Sequence, residues 1–259
     1  MNILDRIVAN KAKEIAERKK LVPVKRLEEY PLFAPGRTSL AENILDKSRS
    51  GIIAEFKRKS PSAGLINGQA EPGRVVAGYF RNGASGASVL TDTMFFGGNC
   101  SDLSAAREAC CGPILRKDFI IDEYQVIESR AAGADAIILI AAILDKRRVS
   151  SLGKLARQLG LEVLLEIRSI SETGMIDCST NIIGVNNRNL GTFDTDVAVS
   201  GDMIEHLPAE LTKISESGIS SPEAIRNLKA MGYNGFLIGE MFMREADPAL
   251  KLLNFVKSI

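Results

Sequence analysis

Eight short apolar runs recur between residues 51 and 259, and most of them end in polar residues. A loop and a helix-like segment follow most of them. Runs with so little alternation are typical of strands covered on both faces, as parallel strands usually are. Eight such strand and helix units predict a (β/α)8 barrel. The runs are GIIAEFK (51–57), ASVLTD (87–92), PILRKD (113–118), AIILIA (136–141), EVLLEI (162–167), IIGVNN (182–187), TKISES (212–217) and GFLIGE (235–240).

Capping residues and glycines predict where the intervening helices begin and end. Asp122, Ser221 and Asp247 are placed to cap helices, and glycine follows several of the segments. A doubly wound open sheet is the alternative architecture. No Gly-x-Gly-x-x-Gly motif follows an early run, which disfavours a dinucleotide-binding version of that sheet. The predicted helices cover residues 72–82, 123–132, 146–159, 222–231 and 248–258.

The first fifty residues differ from the repeating part. Apolar residues Leu4, Ile7 and Ile15 recur at helical spacing, and the sequence SLAE at 39–42 has the form of a capping box. A proline and glycine stretch, YPLFAPGRTS, lies between them. We therefore predict a helical N-terminal extension over residues 1–50, packed on a catalytic barrel domain over residues 51–259. The extension could plug the amino-terminal end of the barrel, or cover its open mouth with basic residues facing an anion.

Composition narrows the classes of function. The net charge is +1, so no overall field favours nucleic acid or a membrane surface. No apolar stretch reaches the length of about 18 residues that a membrane span needs, and the charged N-terminus is unlike a signal peptide. Four cysteines form no CxxC pair, and a single histidine, His206, is too few for a histidine metal cluster. We expect a cytoplasmic protein with reduced thiols and no metal, monomeric or, alternatively, a weak homodimer.

Polar residues end most of the predicted strands, where barrel enzymes carry their sites. Alternation places Glu55 and Lys57 on one face of the first strand. Any single one of these residues could instead form only a salt bridge at the rim of the barrel. Buried charges are unfavourable unless they are paired, so a whole set at equivalent positions indicates function. The predicted catalytic set is Glu55, Lys57, Lys117, Glu166 and Asn186, and Glu216 ends the seventh strand beside it.

A phosphate site is predicted at the seventh and eighth strands. Ser217 and Gly218 follow the seventh strand, a helix begins shortly afterwards, and Gly239 and Glu240 follow the eighth. Backbone N–H groups at such loops and helix starts bind anions, and glycine lets the backbone approach closely. Alternatively, each glycine serves only a turn. The side chain of Glu240 is expected to point away from the anion, leaving its backbone to bind.

Three phenylalanines lie near the predicted mouth. Phe95 and Phe96 follow the second strand, and Phe119 comes shortly after Lys117. Such side chains can receive an aromatic ring, because ligand pockets are mostly apolar with a few placed polar groups. Packing in the core is the alternative for each of them.

Taken together, several segments resemble the indole-3-glycerol-phosphate synthase family over essentially the whole chain. The segments are IIAEFKRKSPSAG, VLTDTMFFGG, ILRKDFIID, LLEI, IGVNNRNLGTFDTD, SESGI and LIGEMFM. The resemblance implies a carbon–carbon lyase of tryptophan biosynthesis with a phosphorylated small-molecule substrate. It would convert 1-(2-carboxyphenylamino)-1-deoxyribulose 5-phosphate to indole-3-glycerol phosphate without a cofactor or metal. The alternatives are another phosphate-sugar isomerase, or an inactive barrel that binds a metabolite.

The resemblance also implies roles for individual residues. Lys117 would be the general acid at the C2 carbonyl, and Glu166 would act in the later proton transfer and dehydration. Glu55 would hold Lys57 and Lys117 in position, and the division of proton transfers among Lys117, Glu166 and Glu55 stays open. Lys57 and Ser60 would help Gly218 and Gly239 bind the phosphate. The expected ligands of the carboxylate and hydroxyls are Asn186, Arg188, Glu216 and Ser217, and the ring would lie towards Phe95, Phe96 and Phe119.

Overall fold

A computed structural model describes residues 3–33 and 38–259 and confirms the predicted barrel. Residues 34–37 of the proline and glycine stretch, and the first two residues of the predicted extension, lie outside the described residues. Eight parallel strands pair in chain order, and the last closes on the first through Ile53 and Leu237. The strands are β1 (Ile52–Phe56), β2 (Gly86–Leu90), β3 (Ile114–Lys117), β4 (Ala136–Ile140), β5 (Glu162–Ile167), β6 (Ile182–Asn186), β7 (Thr212–Glu216) and β8 (Gly235–Ile238).

The helices around the barrel begin where the sequence predicts caps. The side chains of Asp122, Ser221 and Asp247 each accept a backbone N–H at the start of a helix. The segment after the second strand, which lies outside the predicted helices, also forms a helix, with a capping box between Asn99 and Asp102. These helices are α4 (Pro72–Arg81), α5 (Cys100–Ala109), α6 (Glu123–Ala131), α7 (Lys146–Gln158), α8 (Ala198–Met203), α9 (Pro222–Met231), α10 (Glu240–Met243) and α11 (Pro248–Val256). Short 3-10 helices cover Pro31–Phe33, Ala141–Ile143, Ile170–Met175 and Ile204–His206.

Alternation along the strands separates two apolar clusters. In β1, Ile52, Ala54 and Phe56 pack in the outer cluster between the strands and the helices. Ile53 packs in the inner cluster with inward residues of the other strands, such as Leu115. The barrel interior is therefore a packed core beneath the mouth, by which we mean the rim formed by the carboxyl ends of the strands.

The described helices of the N-terminal extension contact both ends of the barrel, but none of their residues lines the cavity at the mouth. It contains α1 (Ile3–Leu21), α2 (Val24–Glu28) and α3 (Leu40–Leu45). Helix α3 plugs the amino-terminal end of the barrel, where the Glu162 carboxylate accepts the N–H groups of Leu40 at 2.7 Å and Ala41 at 3.0 Å. Helix α1 lies near the mouth, because its Lys11 pairs with Asp92 and Asp118 in the loops that follow β2 and β3. No helix in the described part of the chain is both long and apolar enough to cross a membrane.

Candidate active site

A cavity of about 450 Å³ opens at the mouth of the barrel. It has the size and the mixed lining that are usual for small-molecule sites. All five predicted catalytic residues line it: Glu55, Lys57, Lys117, Glu166 and Asn186. Most of the predicted binding residues line it as well: Ser60, Phe96, Phe119, Arg188, Glu216, Ser217, Gly218, Gly239 and Glu240. Phe95 is not among the lining residues and packs instead against the inner apolar cluster.

Lys117 lies between two carboxylates. Its Nζ is 3.1 Å from Glu166 Oε2 and 2.7 Å from Glu216 Oε2. These residues end β3, β5 and β7, and alternate strands of such a barrel contribute to one layer of inward side chains. Burial by itself lowers the pKa of Lys117, but Glu216 and Glu166 outweigh it and hold that pKa above its ordinary value. Lys117 therefore carries its proton at neutral pH.

Glu55 contacts Lys57 rather than Lys117. The Nζ of Lys57 is 2.8 Å from Glu55 Oε1. Burial tends to raise the pKa of Glu55, but the positive charges of Lys57 and Lys117 hold it below its usual value. We expected Glu55 to hold Lys117 in position. The carboxylates in contact with Lys117 are instead those of Glu166 and Glu216.

Glu216 is buried more deeply than the sequence indicates. Its side chain is 1% exposed, and Gly184 makes room for it, because a Cβ atom at Gly184 would collide with Glu216 Oε1. Burial raises the pKa of Glu216 to about 7, and the nearby Glu166 carboxylate adds to the shift although Lys117 opposes it. Glu216 therefore takes up a proton more readily than an exposed glutamate does.

The predicted phosphate end has unusual backbone geometry. Ser217 and Gly218 both have positive φ angles, of 68° and 76°. This region is unfavourable for serine, and such strain is concentrated at functional sites. Helix α9 begins nearby with Ser221 as its cap, and Ser220 lines the cavity.

The side chain of Glu240 pairs with two arginines that also line the cavity. Its carboxylate accepts hydrogen bonds from Arg244 at 2.6 and 3.2 Å and lies 3.9 Å from Arg188. The two arginines compensate its charge beside the predicted anion site. Sequence reasoning missed Arg244, although a basic residue four positions after a glutamate on a helix is a recognisable signal for this pairing.

One wall of the cavity is aromatic. The rings of Phe96 and Phe119 lie 5.9 Å apart at 41°. Leu190 and Phe193, in the loop after β6, also line the cavity and were missed as single residues. Their segment, IGVNNRNLGTF, carries the family resemblance, so the motif itself was the available signal.

The loop after β1 reaches over the mouth. It forms a two-stranded hairpin from Lys59–Ser60 and Gly64–Leu65. Ser62 Oγ accepts a hydrogen bond from Arg188 Nη1 at 2.6 Å, and the Asn186 side chain accepts the Arg188 backbone N–H at 2.9 Å. The loops after β1 and β6 are therefore joined above the cavity.

Replacing Gly239 with alanine should disturb the site. An added Cβ would lie 2.6 Å from Glu55 Oε1 and 2.7 Å from Glu55 Cβ, so the glutamate must move. We expect kcat/KM to fall by about 10²-fold, as small misplacements of catalytic groups can cause. Steady-state kinetics of Gly239→Ala checks this. Gly201→Ala is the matched control, because its Cβ meets nothing within 4 Å, and equal activity of the two variants would contradict the prediction.

Within the described residues, no group of three or more His, Cys, Asp or Glu side chains is arranged to hold a metal ion. The charges at the mouth instead pair with one another. Lys117 is shared by two carboxylates, and Lys57 is paired with Glu55. The cavity thus combines a cluster of paired lysines and carboxylates, an aromatic wall and the glycine-containing loops of the predicted anion site.

Comparisons with known proteins identify the family of the chain. The family model for indole-3-glycerol phosphate synthase matches residues 4–255. An indole-3-glycerol phosphate synthase of Bacteroides thetaiotaomicron is 47% identical over 258 residues, covering 100% of this chain and 99% of that protein. One from Laribacter hongkongensis is 41% identical, covering 97% of each chain. The structure of 3-hexulose-6-phosphate synthase from Salmonella typhimurium, 13% identical, shares the fold with a TM-score of 0.63 over 80% of this chain and 97% of that one. The chain therefore belongs to the indole-3-glycerol phosphate synthase family.

Proposed function

We propose that this protein is a carboxy-lyase of tryptophan biosynthesis that converts 1-(2-carboxyphenylamino)-1-deoxyribulose 5-phosphate to indole-3-glycerol phosphate. The observation that carries the proposal is the position of Lys117 between Glu166 and Glu216, in a cavity with an aromatic wall. Membership of the family supports the same reaction. The barrel over residues 51–259 carries the chemistry, and residues 1–50 form its extension.

Each part of the substrate has a matching part of the cavity. The phosphate binds at the backbones of Gly218 and Gly239 near the start of α9, with Lys57 and Ser60 close by. The ring lies against Phe96 and Phe119. The carboxylate and the hydroxyl groups bind to polar residues between these two ends: Asn186, Arg188, Glu216 and Ser217.

Ring closure needs an acid at the C2 carbonyl oxygen. As the ring carbon that bears the carboxylate attacks C2, negative charge develops on that oxygen. Lys117 donates a proton to it, because its carboxylate partners keep the amine protonated before the step. The bond to the carboxylate then breaks, CO2 leaves, and the returning electron pair restores the aromaticity of the ring.

Dehydration completes the indole. Lys117, which has regained a proton from solvent, protonates the hydroxyl group at C2, this group leaves as water, and a proton leaves the neighbouring carbon. We assign the uptake of that proton to Glu166, which lies 3.1 Å from Lys117 in the same cluster. Glu55 orients Lys57 through their 2.8 Å contact, so that this lysine can bind an anionic group of the substrate.

A turnover assay tests the proposal. The purified protein is mixed with the carboxyphenylamino substrate, and indole fluorescence and CO2 release are followed together. We expect both signals to rise in equal amounts. Lys117→Ala, purified in the same way, controls for a contaminating enzyme. Consumption of the substrate without CO2 release or indole fluorescence would instead indicate an isomerase. The absence of any turnover would contradict the proposal.

We also infer that the enzyme works in the cytoplasm as a monomer. A phosphorylated substrate is charged and is retained where it is made. Sedimentation equilibrium tests the oligomeric state. A dimer at the concentrations used for the assay would contradict the monomer.

A further inference from the structure

Lys11 of α1 is a buried cation that does not line the cavity. Its side chain is 1% exposed. Its Nζ lies 2.9 Å from Glu14 Oε2, 3.0 Å from Asp92 Oδ2 and 3.0 Å from Asp118 Oδ1. A lysine is rarely buried so completely unless it is paired. The two aspartates belong to the loops that follow β2 and β3, so this one amine joins the extension to two loops of the mouth.

The same two aspartates hold the backbone of the aromatic wall. Asp92 Oδ1 accepts the N–H groups of Phe95 at 2.7 Å and Phe96 at 3.2 Å. Asp118 Oδ1 accepts the N–H of Phe119 at 2.8 Å. Asp92 therefore connects Lys11 to the loop of Phe96, and Asp118 connects it to the loop of Phe119. The rings of these two phenylalanines lie 5.9 Å apart in the cavity wall.

The two aspartates do not depend on Lys11 equally. Asp118 Oδ2 also accepts hydrogen bonds from Thr91 at 2.6 Å and Arg116 at 2.9 Å. Asp92 Oδ2 has no hydrogen-bond partner among the described residues, and its ion pair is the contact with Lys11. Removal of the amine should therefore release the loop of Phe96 more than the loop of Phe119.

We propose that Lys11 is a positioning residue that sets the spacing of Phe96 and Phe119 by clamping Asp92 to Asp118. This inference rests on the proposed function, in which those two rings receive the aromatic part of the substrate. Without the amine, two buried carboxylates face each other with less compensation, and their repulsion separates the loops. Among the described residues, the hydrogen bonds and ion pairs of Lys11, Asp92 and Asp118 do not involve Gly218 or Gly239.

Lys11→Met tests the proposal, because methionine is similar in length but has no charge. We expect KM for the full substrate to rise about tenfold while kcat changes by less than about threefold, since only the ring site is loosened. The dissociation constant of anthranilate should rise by the same factor as KM. Inhibition by inorganic phosphate should be unchanged. Lys13→Met is the matched control, because Lys13 is an exposed residue of the same helix.

Two further variants separate positioning from general stability. Lys11→Arg retains the charge and should restore most of the anthranilate affinity. Asp92→Asn leaves the pair between Lys11 and Asp118 intact and should weaken anthranilate binding without affecting phosphate, so it tests the proposal even if Lys11→Met does not fold. Wild-type anthranilate affinity in folded Lys11→Met or Asp92→Asn, or equal weakening of anthranilate and phosphate, would overturn the inference. Failure of the wild-type protein to bind anthranilate would contradict the proposed function instead.

Discussion

Lys117→Ala should lower kcat by about 10²–10⁴-fold, the usual contribution of a positioned general acid. The variant lacks the proton donor at the C2 carbonyl, and its Glu166 and Glu216 carboxylates lose the cation that lies between them. Affinity for inorganic phosphate should change little, because that end of the cavity keeps Gly218 and Gly239. Steady-state kinetics and phosphate inhibition measure the two effects separately.

Lys117→Arg distinguishes proton donation from charge. Arginine would keep a positive charge beside both carboxylates but does not release its proton in proteins. We expect this variant to fold well and to remain severely slowed. Lys154→Ala on the exposed side of α7 is the control for a lysine substitution. Turnover near the wild-type level in either Lys117 variant would remove Lys117 as the acid.

Glu166→Gln should lower indole formation by about 10²–10⁴-fold, because glutamine has the same shape but cannot take up a proton. Lys117 keeps its contact with Glu216 at 2.7 Å, so ring closure should be less affected. In a single turnover, CO2 release should therefore precede the indole signal. Rapid quenching with parallel detection of CO2 and fluorescence measures this separation.

The comparison variant for this experiment is Glu210→Gln, at an exposed position outside the cavity. It should release CO2 and form indole at the wild-type rates. If Glu166→Gln slows both signals equally, Glu166 acts at or before ring closure and its assignment to dehydration is wrong.

Local sequence patterns predicted most of the barrel and most of the residues around its cavity. GIIAEFK shows why, because its alternation separates Ile53 and Glu55 from Ile52 and Phe56, and the structure directs these two sets to opposite sides of the strand. Alternation and helix caps depend on neighbouring residues, so a sequence reader can detect them. Phe95 shows the limit, because hydrogen bonds to Asp92 fold its loop and leave only Phe96 of the pair in the cavity wall.

Contacts between distant segments were not predictable in the same way. Lys11 lies four residues from both Ile7 and Ile15, so helical spacing places it on the buried face of α1, unlike its exposed neighbour Lys13. The local pattern does not indicate which residues pair with it. Its partners Asp92 and Asp118 are far along the chain and meet it only when α1 packs at the mouth. The burial of Glu216 likewise depends on the space that Gly184 leaves on the adjacent strand.

The sequence by itself therefore determined the eight strand and helix units and the polar residues at the strand ends, because both follow from short-range periodicity. Only the tertiary structure decided which charges pair. Closure of the barrel brings β3, β5 and β7 to one level, so Lys117 lies between Glu166 and Glu216, while Glu55 pairs with Lys57. Closure also decided that the extension serves both ends of the barrel, since its burial depends on surfaces that exist only after the strands have joined.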